Sequence, residues 1–150
     1  MEAIAAFGLA ANIVPFIDAA SKLVSLLWNL YSSGKEGLEE YTALLKITQD
    51  LHNVLENLRT TEGGDGMQQF VEECQKLGSE LKSTLRMLNL SDNIRKRDAL
   101  KAAVKLLWKE DEIKVIQTKL DGFRSRLTLH LITSLRSAAL TKLPGKVAIC

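Results

Sequence analysis

Arg97, Lys101, Lys105 and Lys109 recur at every fourth position, with Arg95 and Lys96 just before them. On a helix that interval stacks side chains along one face, so these cations form a stripe suited to an anionic partner. Near an anionic phospholipid surface each basic residue contributes about 1 kcal/mol. A solvated helix face is the ordinary alternative. Nucleic acid is the weaker candidate, because no recognition motif or aromatic platform accompanies the charge, and it is not expected as a partner.

The other chemically able residues are poorly arranged for catalysis. His52 and His130 lie far apart without metal-ligand spacing, so no metal site is expected, and His130 is read as packing at a helix interface. Gly34–Lys35 and Gly145–Lys146 are followed by Glu36 and Val147 rather than Ser or Thr, which excludes a phosphate-binding loop. Glu39–Glu40 and Glu72–Glu73 are adjacent, so each pair points apart on a helix. Cys74 falls on an apolar stripe with no activating neighbour. The expectation is a chain with no catalytic residues and no cofactor.

The elements that hold these residues follow from composition and period. At 150 residues the chain fits one domain, and 5% aromatics with two prolines suit a helical bundle better than a sandwich. The net charge of +2 is unevenly spread: −1 over residues 1–34, −4 over 35–90 and +7 over 91–150. The cysteines Cys74 and Cys150 make no disulfide framework, which points to a reducing, cytosolic setting. The opening lacks a basic n-region and does not read as a secretory signal.

The first helix is expected over Glu2–Ser32, stopped by Gly34 and kinked or divided by Pro15. Asp18 and Lys22, four apart, can pair, and they split the apolar stretch into Ala3–Ile17 and Leu23–Tyr31. Each piece is shorter than the roughly 20 residues that cross a bilayer, so a resident transmembrane helix is not expected. In a soluble bundle a helix so apolar on every side must be wrapped by others.

A second helix carries Leu38, Tyr41, Leu44, Leu45, Thr48, Leu51, Leu55 and Leu58 at three-and-four spacing, then ends in "TTEGGDG". Asp65 and Gln68 resemble a capping box for the third, whose stripe is Phe70, Val71, Cys74, Leu77, Leu81, Leu85 and Leu88. A shorter helix holds Leu100, Val104, Leu107 and Trp108, with Trp108 read as core rather than as an interfacial anchor. Glu110, Asp111 and Glu112 suit the positive N-terminus of a last helix with the stripe Ile113, Ile116, Leu120, Phe123, Leu127, Leu131 and Leu135. The expected fold is thus all-α, a bundle of four to five helices over residues 1–136, with 137–150 a tail or the start of a linker.

Three ordered blocks resemble the HeLo-like domain at the N-terminus of fungal STAND proteins, the NOD-like receptors of fungal immunity and incompatibility. "AAFGLAANIVPFIDAASKLVS" carries it in Gly8, Leu9, Ala10, Asn12, Phe16, Asp18, Ser21 and Lys22. "FVEECQKLGSELKSTLRML" carries it in Glu73, Cys74, Leu77, Glu80, Leu81 and Leu85. The block from Ala99 to Arg136 carries it in Leu100, Lys101, Trp108, Ile113, Leu120, Arg124, Leu127, His130, Leu131 and Arg136. The chain departs from the family at Pro15, where a helix-compatible residue is expected.

The resemblance implies a cell-death effector, similar in architecture to the bundle of the mixed-lineage kinase domain-like protein of animal necroptosis. Its implied partners are further copies of itself, an anionic phospholipid membrane and, in a longer protein, a nucleotide-binding and repeat region. Implied localisation is cytoplasmic, moving to the plasma membrane on activation. The membrane-inserting residues would then be Ile4, Phe7, Gly8, Leu9, Ile13, Val14, Pro15, Phe16 and Ile17. Headgroups would meet Arg95, Lys96, Arg97, Lys101, Lys105 and Lys109. The small residues Ala5, Gly8 and Ala11, or Ala6 and Ala10, permit close helix packing in a membrane assembly. Two other readings are an adaptor that self-associates with its first helix permanently in the core, and a structural cap that silences a neighbouring domain.

Overall fold

A computed structural model describes residues 2–32, 38–63, 66–87, 104 and 108–141, with backbone alone for 2–3, 30–32, 38–41 and 141. Among them are four helices and no strand: α1 (Glu2–Ser32), α2 (Leu38–Arg59), α3 (Gln68–Met87) and α4 (Glu110–Thr141). The protein is an all-α bundle whose N-terminal helix is apolar. Of the expected shorter helix only Val104 and Trp108 are described; both are buried, and Trp108 N–H donates to Val104 C=O at 2.8 Å, a helical spacing. Gly34, Asp65, Leu88, Leu100 and Leu107 lie outside the described residues.

Pro15 does not divide α1, which runs unbroken from Glu2 to Ser32. Proline removes the hydrogen bond to the carbonyl four residues back. Here that carbonyl belongs to Ala11, and both Ala11 and Pro15 lie on the exposed side, where water can satisfy it. The inward side of α1 packs chiefly against α4 and α2, more lightly against α3. Ile13, Phe16, Ala20, Leu23 and Leu27 on that side are fully enclosed.

Two loop devices turn the chain from α2 into α3. The carbonyls at the C-terminus of α2 lack helical donors; Thr61 N–H and Gln75 Nε2 both donate to Leu58 C=O, at 3.1 and 2.9 Å. Gln68 does reach back as a cap, but its Oε1 accepts from Gly63 N–H at 2.9 Å, because α3 begins at Gln68 itself. Gly66 takes φ 79°, a region costly for residues with a Cβ.

The core stripes correct two expectations. On α2, Leu44, Leu51 and Leu58 are buried with Ile47 and Val54 packed against them, while Leu45 faces outward. On α4, Ile113, Leu120, Phe123 and Leu127 are buried, but the stripe continues through Ser134, and Leu135 is exposed. The reason is the 3.6-residue period: Leu135 lies about 100° round the helix from Ser134. The small Ser134 of α4 and Ala6 of α1 are both buried.

Gly78 marks a close crossing of three helices. A Cβ there would stand 2.2 Å from Leu55 Cδ2 of α2 and 3.3 Å from Phe16 Cε1 of α1, whereas one at Gly8 would meet nothing within 4 Å. Gly78→Val is expected to lower stability by about 1–3 kcal/mol through overpacking. Gly8→Ala is expected to raise it by about 0.5–1 kcal/mol by removing glycine from a helix interior. Urea unfolding of the two variants checks the opposite signs, and equal effects would mean α3 is not seated on α1 and α2 as described.

Candidate functional site

The residues expected to enter a membrane divide between two faces of α1. Leu9, Ile13, Phe16 and Ile17 are buried in the bundle. Ile4, Phe7, Gly8, Val14 and Pro15 are exposed, Ile4 by 73% and Phe7 by 53%. Ala5 and Ala11 are exposed with them, so one small-residue stripe faces outward, while Ala6 is taken up by packing. From Ile4 to Ile17 the outward face carries no charge; the first is Asp18.

The two apolar pieces form one continuous span. Ile4–Asn29, 26 residues, is long and apolar enough to cross a membrane by length and composition, and 44% of its most apolar window is buried in the bundle. At 1.5 Å per residue it measures about 39 Å, against roughly 30 Å of hydrocarbon. Asp18 and Lys22 are both exposed and are absent from the ion pairs found among the described residues.

Neighbouring helices fix where the ends of α1 lie. Arg124 Nη2 of α4 donates to Ser21 Oγ at 3.3 Å, and a groove of about 250 Å³ joins Val24 and Trp28 to Ile113 and Gln117. Rising numbers on α1 therefore meet falling numbers on α4. Seventeen residues back from Ser21 is Ile4, and seventeen on from Arg124 is Thr141, so the start of α1 lies beside the end of α4.

Helix α3 is likewise antiparallel to α4. Phe70 meets Phe123 edge-on with centroids 5.7 Å apart, and a groove of about 340 Å³ joins Leu81 and Thr84 to Asp111 and Val115. Met87 and Lys109, which flank the basic segment, thus sit at the end of the bundle where α1 finishes, opposite Ile4. Of the basic stripe only Lys109 is described, and it is exposed; Arg95, Arg97, Lys96, Lys101 and Lys105 lie outside the described residues. Trp108 is buried, as the core reading expected.

One polar clamp was not legible in the sequence. Arg126 of α4 pairs with Glu73 of α3, and its guanidinium lies 4.9 Å from the centroid of Phe70. A separation of 53 positions leaves no local pattern to find it by. A second missed feature is the outward apolar set Leu129, Ile132 and Leu140 on α4, spaced by three and eight residues.

Among the described residues no three His, Cys, Asp or Glu side chains come together as metal ligands. His52 is exposed and His130 is half-buried on α4. No protein-family model, curated protein or solved structure matches the chain.

Cys74 lies beneath the clamp. Burial pushes its thiol from 9.0 up to about 12; the charge of Arg126 opposes this and that of Glu73 adds to it. The folded chain thus keeps a proton that the unfolded chain releases near pH 9.0. That contribution to stability is fully present below the unfolded value and is lost as pH rises through the folded one. Unfolding free energy is expected to fall between about pH 9 and 12, with a shallower slope in Cys74→Ala; equal slopes would remove the thiol from the alkaline response.

Proposed function

We propose that this chain is a HeLo-like effector domain that self-associates and drives α1 from the bundle into an anionic membrane, causing cell death. The observation that carries the reading is the outward face of α1, apolar and exposed from Ile4 to Pro15 while its inward face is core. Such a helix has two homes. Packed, it buries its inward side at about 25 cal/mol per Å2; in lipid it would bury both sides. The difference favours lipid, and the packing of α1 against α2, α3 and α4 opposes it.

Asp18 and Lys22 suit an N-terminus-first entry. Ile4 to Ile17 spans about 21 Å, less than the roughly 30 Å core, so Asp18 and Lys22 would remain near headgroup level. Keeping Asp18 there avoids a cost of about 2.5–3.5 kcal/mol at the centre. The C-terminal end of α1 shares its end of the bundle with Lys109, so headgroups held there would lie beside the point where α1 is tethered. The likeness to the HeLo-like family supports the same reading, and two residues in it, Ser21 and Arg124, hydrogen-bond across α1 and α4.

In this reading the protein is a cytoplasmic effector domain that moves to the plasma membrane, with a nucleotide-binding and repeat region driving its self-association. The adaptor reading, with α1 permanently in the core, has its own support in the complete enclosure of Ile13, Phe16 and Leu23.

Because Ile4 and Phe7 are exposed, charge there leaves the core untouched. The double change Ile4→Glu and Phe7→Glu is expected to keep helical circular dichroism and thermal midpoint while cutting dye release from anionic liposomes by about tenfold or more, given the cost of charge in hydrocarbon. Release equal to that of the parent chain would overturn the membrane role of α1, and self-association without release by the parent would favour the adaptor.

A further inference from the structure

Helix α4 has two apolar faces, and the fold uses one. Beside the core stripe, Val115, Gly122 and Leu129 recur at seven-residue spacing, the first two bordering the grooves against α3, with Ile132 three further on and Leu140 eight beyond that. All are exposed, Leu129 by 66%, Ile132 by 54% and Leu140 by 56%. Seven-and-three spacing is the pattern of a helix that receives another helix along its length.

Gly122 is the odd member. Glycine inside a helix costs roughly 0.5–1 kcal/mol relative to alanine, and a Cβ at Gly122 would meet nothing within 4 Å. Gly122 borders a groove against Lys76 and Glu80 of α3, and nothing among the described residues fills the place of its missing side chain, so a side chain arriving from outside would find a notch there.

The charges along α4 point to what arrives. Its first turn is acidic, Glu110, Asp111 and Glu112, and after Leu127 its one formal charge is Arg136. We infer that the outer face of α4 binds the same face of a second copy, antiparallel about a twofold axis at the helix midpoint. Gly122 and Leu129 are equidistant from the ends Glu110 and Thr141, so Leu129 of each copy would enter the notch at Gly122 of the other. Arg136 would fall opposite Val115 and within one turn of Asp111 and Glu112 of the second copy. The opposed helix dipoles favour that orientation, and a self-complementary patch is what a twofold interface requires. This inference supplies the self-association in the reading above and rests on that part of it alone.

Sedimentation of the full chain without lipid tests it. The parent is expected to dimerise, and Leu129→Lys and Arg136→Glu are each expected to weaken the dimer by about tenfold or more, as a charge buried in the seam or placed against like charge should. Circular dichroism and thermal midpoint should be unchanged, since both side chains are exposed. Combining Arg136→Glu with Asp111→Lys should restore dimerisation to within about threefold, a rescue that electrostatic pairing predicts and general damage does not. A parent monomeric to about 100 µM, too weak for a specific interface, would overturn the inference. So would a dimer indifferent to Leu129→Lys, including one whose Leu129→Lys form loses only vesicle binding, which would give the face to lipid. Dye release from the same samples separates the two readings: a monomeric Leu129→Lys that still lyses vesicles upholds the interface and removes oligomerisation from the membrane mechanism.

Discussion

A helix that is apolar on nearly every side calls for cover on every side, and the described helices cover only one. For α1 this constraint shapes the rest of the fold. α2 and α4 flank its inward side and α3 closes over Phe16 at Gly78, so the enclosed surface runs without interruption from Leu9 to Leu27. Nothing among the described residues covers Ile4 and Phe7. Most soluble helices avoid that state by placing charge outside, and α1 carries no charge between Glu2 and Asp18.

The pairing of α3 with α4 is secured differently. Phe70 and Phe123 meet edge to face, and Arg126 lies over Phe70 while pairing with Glu73. The ion pair is partly exposed and so adds little by itself. Its role is registration: an arginine bound to both a ring and a carboxylate cannot slide along α3 without losing both. That register also sets Met87 and Lys109 at the end of the bundle opposite Ile4.

The four long helices and most of their inward residues were legible because period and composition are local properties. Cys74, Leu77, Leu81 and Leu85 on α3 follow directly from three-and-four spacing, and all are buried. Leu45 and Leu135 were misplaced because each lies next to a true core position, and hydrophobicity alone favours a leucine over Ser134. Pro15 pointed to a kink or a division, and α1 is undivided; the sequence does not say whether the freed carbonyl of Ala11 faces core or water. The basic stripe from Arg95 to Lys105 remains a reading of spacing, since those residues lie outside the described part of the chain.

The sequence by itself determined that this protein is helical and that its first helix is apolar and almost uncharged. It also determined that positive charge gathers after residue 90, because these are sums over neighbouring residues. Only the tertiary structure decided which half of α1 is core and which is bare. The same holds for the joining of Arg126 to Glu73 and Phe70, and for the outward Leu129, Ile132 and Leu140. A helix with apolar residues all round has no preferred direction until its neighbours dock. The side that faces outward is then fixed by where α2, α3 and α4 can pack closely, as α3 does at Gly78.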